Sequence, residues 1–72
     1  MVYFDSLQAK LEITKQSKAV RYIAKEAKKL KDNILSNLYI HNSERKEVGK
    51  EYKQLTKNIS IKYKELKRKL SA

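Results

Sequence analysis

The 72-residue chain has no cysteine, no proline, no tryptophan and a single glycine, Gly49. Without cysteine there is no disulfide framework and no thiolate metal site, which fits a reducing cytosol. Without proline, and with Lys, Leu, Glu, Ala and Gln filling long stretches, almost nothing interrupts an α-helix, so the expected fold class is all-α. No run approaches the ~18 consecutive apolar residues of a membrane-spanning helix. The opening MVYFDSLQAK lacks a basic leader followed by an apolar stretch, which argues against a signal peptide, and the expected location is the cytoplasm.

The same scarcity bears on chemistry. His41 is the only histidine, and one imidazole with no thiol does not assemble a transition-metal site; an exposed turn residue is the expected role. Gly49 stands alone, so there is no glycine loop to cradle a phosphate. Glu44, Glu47 and Glu51 follow helical spacing and are expected to pair with bases such as Lys50 and with nearby turn amides, not to form an acid/base dyad. No catalytic residue and no cofactor is expected, and the chain reads as a non-enzyme.

What is present is periodicity. Val20, Ile23, Ala27, Leu30, Ile34 and Leu38 recur at threes and fours, one stripe of an amphipathic helix. A second stripe runs Val48, Tyr52, Leu55, Ile59, Lys62 or Tyr63, Leu66 and Leu70. Between them, His41-Asn42-Ser43-Glu44 offers the best turn, with Asn42 or Ser43 as cap and Glu44 and Glu47 at the new helix's positive end. The expected organisation is a single domain over 1–72 with a helix at about 5–40, a turn at about 41–43 and a helix at about 44–70, a long antiparallel hairpin. Tyr3, Phe4, Leu7 and Leu11 make a further stripe out of phase with the next, and Thr14 to Lys18 is polar. Either a short helix at about 5–15 ends before the long one, with Ser17 as the next cap, or one helix changes its buried face; continuity is slightly favoured. Asp5 or Ser6 would cap its start.

Each stripe is wider than one neighbour covers in a two-helix hairpin, so association with a second copy is expected, most simply a dimeric four-helix bundle. Its seam would use Phe4, Leu7, Leu11, Val20, Ile23, Ala27, Leu30, Ile34, Leu38, Val48, Tyr52, Leu55, Ile59 and Leu66, with the first three and Tyr3 as an arm over the partner. In outline such a dimer resembles the Rop-like hairpins, RNA-binding or adaptor proteins of plasmids and viruses. The likeness is architectural, and no residue motif transfers with it. Tyr39 and Ile40, just before the turn, fit the stripe poorly; capping the bundle end is favoured for them over docking a protein.

The net charge of +10 is unevenly placed. Residues 15–31 hold seven bases against Glu26, residues 57–72 hold six against Glu65, and residues 32–56 are balanced. In a hairpin turning near residue 42, facing residue numbers sum to about 84, and the two basic blocks coincide at the open end. Lys18, Arg21, Lys25, Lys28, Lys29, Lys57, Lys64, Lys67 and Arg68 lie away from the apolar stripes, the footprint expected of a surface that holds nucleic acid through its phosphates. Tyr22 on the outer face would stack on a base or bond a phosphate. The plain alternative is a solvated lysine face, and lysine does not give arginine's two-pronged recognition. No helix-turn-helix, zinc-finger or basic-zipper pattern is present, so sequence-specific reading is not expected. Two other readings remain: an adaptor or inhibitor docking an acidic protein partner, and attachment to an anionic membrane surface.

Overall fold

The computed structural model describes the backbone of residues 3–71 and the side chains of residues 3–69. It is all-helical: α1 spans Asp5–Ile13, α2 Ser17–Leu35 and α3 Asn42–Ser71, with no strand among the described residues. No helix of these is long and apolar enough to cross a membrane. At ~1.5 Å per residue the 30 residues of α3 extend ~45 Å, which accounts for the 48 Å length of a body only 16 × 14 Å across.

The chain breaks at Thr14–Gln16, so the favoured continuous helix over 5–40 is corrected to two helices. The cause lies in phase. Leu11 and Val20 are nine residues apart, ~900° of helical rotation, which in one helix would set them on opposite sides. Thr14 (φ −72°, ψ 136°) and Gln16 (φ −119°, ψ 134°) leave the helical region, and α1 folds back so that both side chains enter one core. The Thr14 hydroxyl donates to the Lys10 carbonyl at 2.7 Å, closing the last turn of α1. Neither helix is started as expected. Phe4 and Gln16 hold the N-cap positions without a side-chain cap bond, while Asp5 and Ser17 are the first helical residues.

α1 runs parallel to α3. The Tyr3 amide donates to Glu51 Oε1 at 3.2 Å, Asn58 Nδ2 to Gln8 Oε1 at 3.0 Å, and Lys62 Nζ to the Glu12 carbonyl at 3.3 Å. α2 runs antiparallel to α3, as the contacts Arg21 with Tyr63 and Lys31 with Tyr52 require. Glu51, expected to pair with a neighbouring base, is instead buried at 6% exposure against the N-terminal segment, where its carboxylate answers a backbone N–H.

The second connection is also displaced from its expected place. α2 ends at Leu35, and Ser36–His41 forms the reversal that was expected at 41–43. Ser36 and Asn37 divert the backbone through local bonds: Ser36 Oγ donates to the Asn33 carbonyl at 2.8 Å, and Asn37 Oδ1 accepts the Tyr39 amide at 3.0 Å. The Arg45 guanidinium then clamps the loop, donating to the carbonyls of Leu35 at 2.9 Å and Asn37 at 3.0 Å. His41 is exposed, and its carbonyl takes the Arg45 amide at 3.0 Å as α3 begins. Leu38 (89% exposed) and Tyr39 (91%) stand out from this loop, so neither seals the bundle end; only Ile40 packs on the core edge.

The core joins all three helices: Phe4, Leu7 and Leu11, then Val20, Ile23 and Ala27, then Val48, Leu55, Ile59 and Leu66. The segment expected as an arm over a partner is thus folded onto its own chain. Leu30, Ile34 and Tyr52 are half-buried at its margin, and Leu38 has left the stripe. The side chain of Leu70, placed at the end of the second stripe, lies outside the described residues.

Gly49 is an unforced weakness in α3, since a Cβ built there meets nothing within 4 Å. Gly49→Ala is expected to raise stability by ~0.5–1 kcal/mol, read as a higher urea midpoint with unchanged slope. A lower midpoint would reveal a hidden contact at that position.

Candidate polyanion-binding surface

Helices α2 and α3 position the basic residues. With Val20, Ile23 and Ala27 turned into the core, the 3.6-residue repeat puts Lys18, Lys25 and Lys29 on the opposite side of α2, and Lys57, Lys64 and Arg68 are placed likewise on α3. All six are exposed, as are Arg21, Lys28 and Lys67 on the flanks. Because Arg21 meets Tyr63 and Lys31 meets Tyr52, residues 15–31 lie alongside residues 52 and beyond, and the two basic segments overlap where residues 15–27 face residues 57–69, toward the end away from the Ser36–His41 loop. An ion pair in this region, Lys31 with Asp32 at 4.0 Å, is a loose surface contact that neutralises little of the excess. Tyr22 is exposed on the outer face of α2.

Two of the nine cations do something the periodicity did not suggest. Arg21 Nη2 donates to the Tyr63 hydroxyl at 3.0 Å with its guanidinium carbon 5.7 Å from the ring centre, and Lys67 Nζ sits 4.8 Å from the same centre. Lys31, absent from the expected footprint, lies 4.4 Å from the ring centre of Tyr52. Tyr52 in turn meets Phe4, ring centres 6.1 Å apart at 51°, so it joins the core to the surface. These cation–ring pairs flank an open groove of about 430 Å³ between α2 and α3, on the side that α1 leaves uncovered.

No known protein family, curated protein or solved structure matches this chain. The reading of the surface therefore rests on its own geometry. The groove was not foreseen, although a signal for it exists. Tyr52 and Tyr63 are eleven residues apart, three turns of one helix edge, and the pairs 21/63 and 31/52 obey the sum of about 84 expected for facing residues.

Tyr63 reports on this cluster. The hydrogen bond from Arg21, and after it that from Lys67, holds the phenol below its ordinary pKa. The titration difference between the wild type and Tyr63→Phe, followed by ultraviolet absorbance, is expected to have its midpoint below about 10, and Arg21→Met should move it upward. A midpoint indifferent to Arg21 would mean that the pair does not persist in solution. Since the folded pKa lies below the unfolded one, phenolate formation adds stability only as pH rises through the shifted value. Below that value the contribution is lost, so it is absent at neutral pH.

Proposed function

We propose that this is a non-enzymatic polyanion-binding protein that holds nucleic acid chiefly through phosphates, as a regulator or accessory factor. The observation that carries the reading is the meeting of two basic segments, far apart in sequence, along the same half of an antiparallel α2–α3 hairpin. A positive excess gathered toward one end of a rod 48 Å long sets up a polarised field, and a phosphate chain gains affinity there by releasing condensed counterions. Lysine dominates the outer faces, which suits a repeating charge and not a particular base.

A homodimeric four-helix bundle is not needed for this reading. α1 already covers one side of the α2–α3 seam, and a second copy on the other side would bring Arg21, Lys31 and Lys67 against their own counterparts. The binding unit is taken to be the single chain, and a solution mass near 8.5 kDa is the expected result.

The direct test is a salt titration of binding to labelled duplex DNA and single-stranded RNA of mixed sequence. With 6–10 phosphate contacts, affinity is expected to fall ~10³–10⁵-fold between 50 and 200 mM salt, with little dependence on sequence. A shallow salt dependence, or strong preference for one sequence, sinks the proposal.

A further inference from the structure

The groove between α2 and α3 differs in chemistry from the lysine faces beside it. Its floor is Val20, Ala24 and Ile59, its aromatic walls are Tyr52 and Tyr63, and Ser60 lies along the α3 edge. Ala24 and Ser60 are small, so another backbone can approach closely. The stretch from Tyr52 to Tyr63 is ~16 Å long, three helical turns at ~1.5 Å per residue. No acidic side chain lines it among the described residues, while Arg21, Lys31 and Lys67 stand over its aromatic walls.

We propose that this groove takes an acidic amphipathic helix of a partner protein, about three turns long, as a fourth helix on the α2–α3 seam. The apolar floor calls for an apolar stripe, which a sugar–phosphate chain does not possess. The cations over the walls call for carboxylates beside that stripe, which a second copy of this chain, at net +10, is poorly suited to provide. The groove is open because α1 is nine residues long and lies on the opposite side of the seam. The inference stands on different side chains from the outer lysine faces and does not depend on nucleic-acid binding.

The test uses the full chain and a labelled leucine–glutamate peptide of about 12 residues, a little over three turns, with leucines at threes and fours. Binding is expected, and the same peptide with lysine for glutamate should bind at least ~tenfold more weakly. Ala24→Gln with Ser60→Gln lines the groove with amides at constant net charge. It should weaken the acidic peptide at least ~tenfold while leaving affinity for labelled RNA and the circular dichroism spectrum unchanged. Equal binding of both peptides, or of wild type and double variant, overturns the proposal. So does a loss of RNA binding in the folded double variant, which would make the groove part of a nucleic-acid site, or a drop of solution mass by half, which would make its occupant a second copy. Amide shift changes in the wild type on adding peptide locate the site without any substitution. Changes at Ala24, Ile59 and Ser60 support it, and changes confined to the outer faces refute it.

Discussion

Replacing Phe4 by Ala is expected to cost ~3–5 kcal/mol, because the ring is fully buried and its removal leaves a hole where all three helices meet. Folded domains hold ~0.05–0.15 kcal/mol per residue, so a chain of 72 residues has ~4–11 kcal/mol in all, and one truncation removes a large share. The loss should spread through the chain. α1 has nine residues, too few to stay helical in water unaided, and without the Phe4 contact to Tyr52 it loses its aromatic contact with α3, leaving Leu7, Leu11 and two exposed or part-buried hydrogen bonds to hold it. Glu51 would then lose the Tyr3 amide that its carboxylate accepts from and would have to be rehydrated. Urea unfolding followed by circular dichroism measures the cost, and it should be the same at low and high protein concentration. A loss below ~1 kcal/mol would mean that the N-terminal segment is not integral to the core. A loss that shrinks on dilution would mean that Phe4 packs on a second copy.

That α1 belongs to the core was half visible in the sequence. The stripe Tyr3, Phe4, Leu7, Leu11 is plain, and so is its failure to continue into Val20. What was not visible is which remedy the chain takes. A helix that rotates its buried face and a helix that breaks both satisfy a polar interval at Thr14–Lys18 with neither glycine nor proline. The break wins because it covers with α1 the apolar width that a two-helix arrangement leaves open. The seam expected with a partner meets the same ambiguity: Leu7, Ile23, Val48 and Leu55 are buried within the single chain, and pattern alone does not say whose helix buries such positions.

The loop shows the opposite failure. Leu38 continues the α2 stripe in perfect spacing, and Asn42-Ser43 looks the better stop, yet α2 ends at Leu35. The decisive groups are Ser36, Asn37 and Arg45, whose bonds to local backbone replace helical ones at modest cost. Arg45 comes from the following helix, so a reading confined to a short window does not find it. Charge placement was easier to foresee, because outward residues follow directly from the inward ones. The groove was harder, since it depends on the side of the seam that α1 leaves uncovered.

The polyanion reading makes its sharpest demand on where charge sits, not how much there is. Lys25→Gln and Lys64→Gln together remove two exposed charges from the shared basic region, one on each of the two helices. Lys46→Gln and Lys50→Gln remove two exposed charges from the loop-proximal end of α3. Both variants lower the same +10 net charge by the same amount. If phosphates are held by the basic region, the first variant should lose about two contacts, flattening the log–log salt slope by ~2 and weakening binding ~10-fold at moderate salt. The second should change the slope by less than ~1, since it alters only the distant field, which is screened beyond about 8–10 Å at such ionic strengths. All four positions are exposed and helical, and glutamine keeps helix propensity close to that of lysine, so stability should hardly move and affinity differences reflect binding. Equal losses in the two variants would mean that nucleic acid responds only to total charge, and the convergence of the two basic segments along α2 and α3 would then have no part in binding.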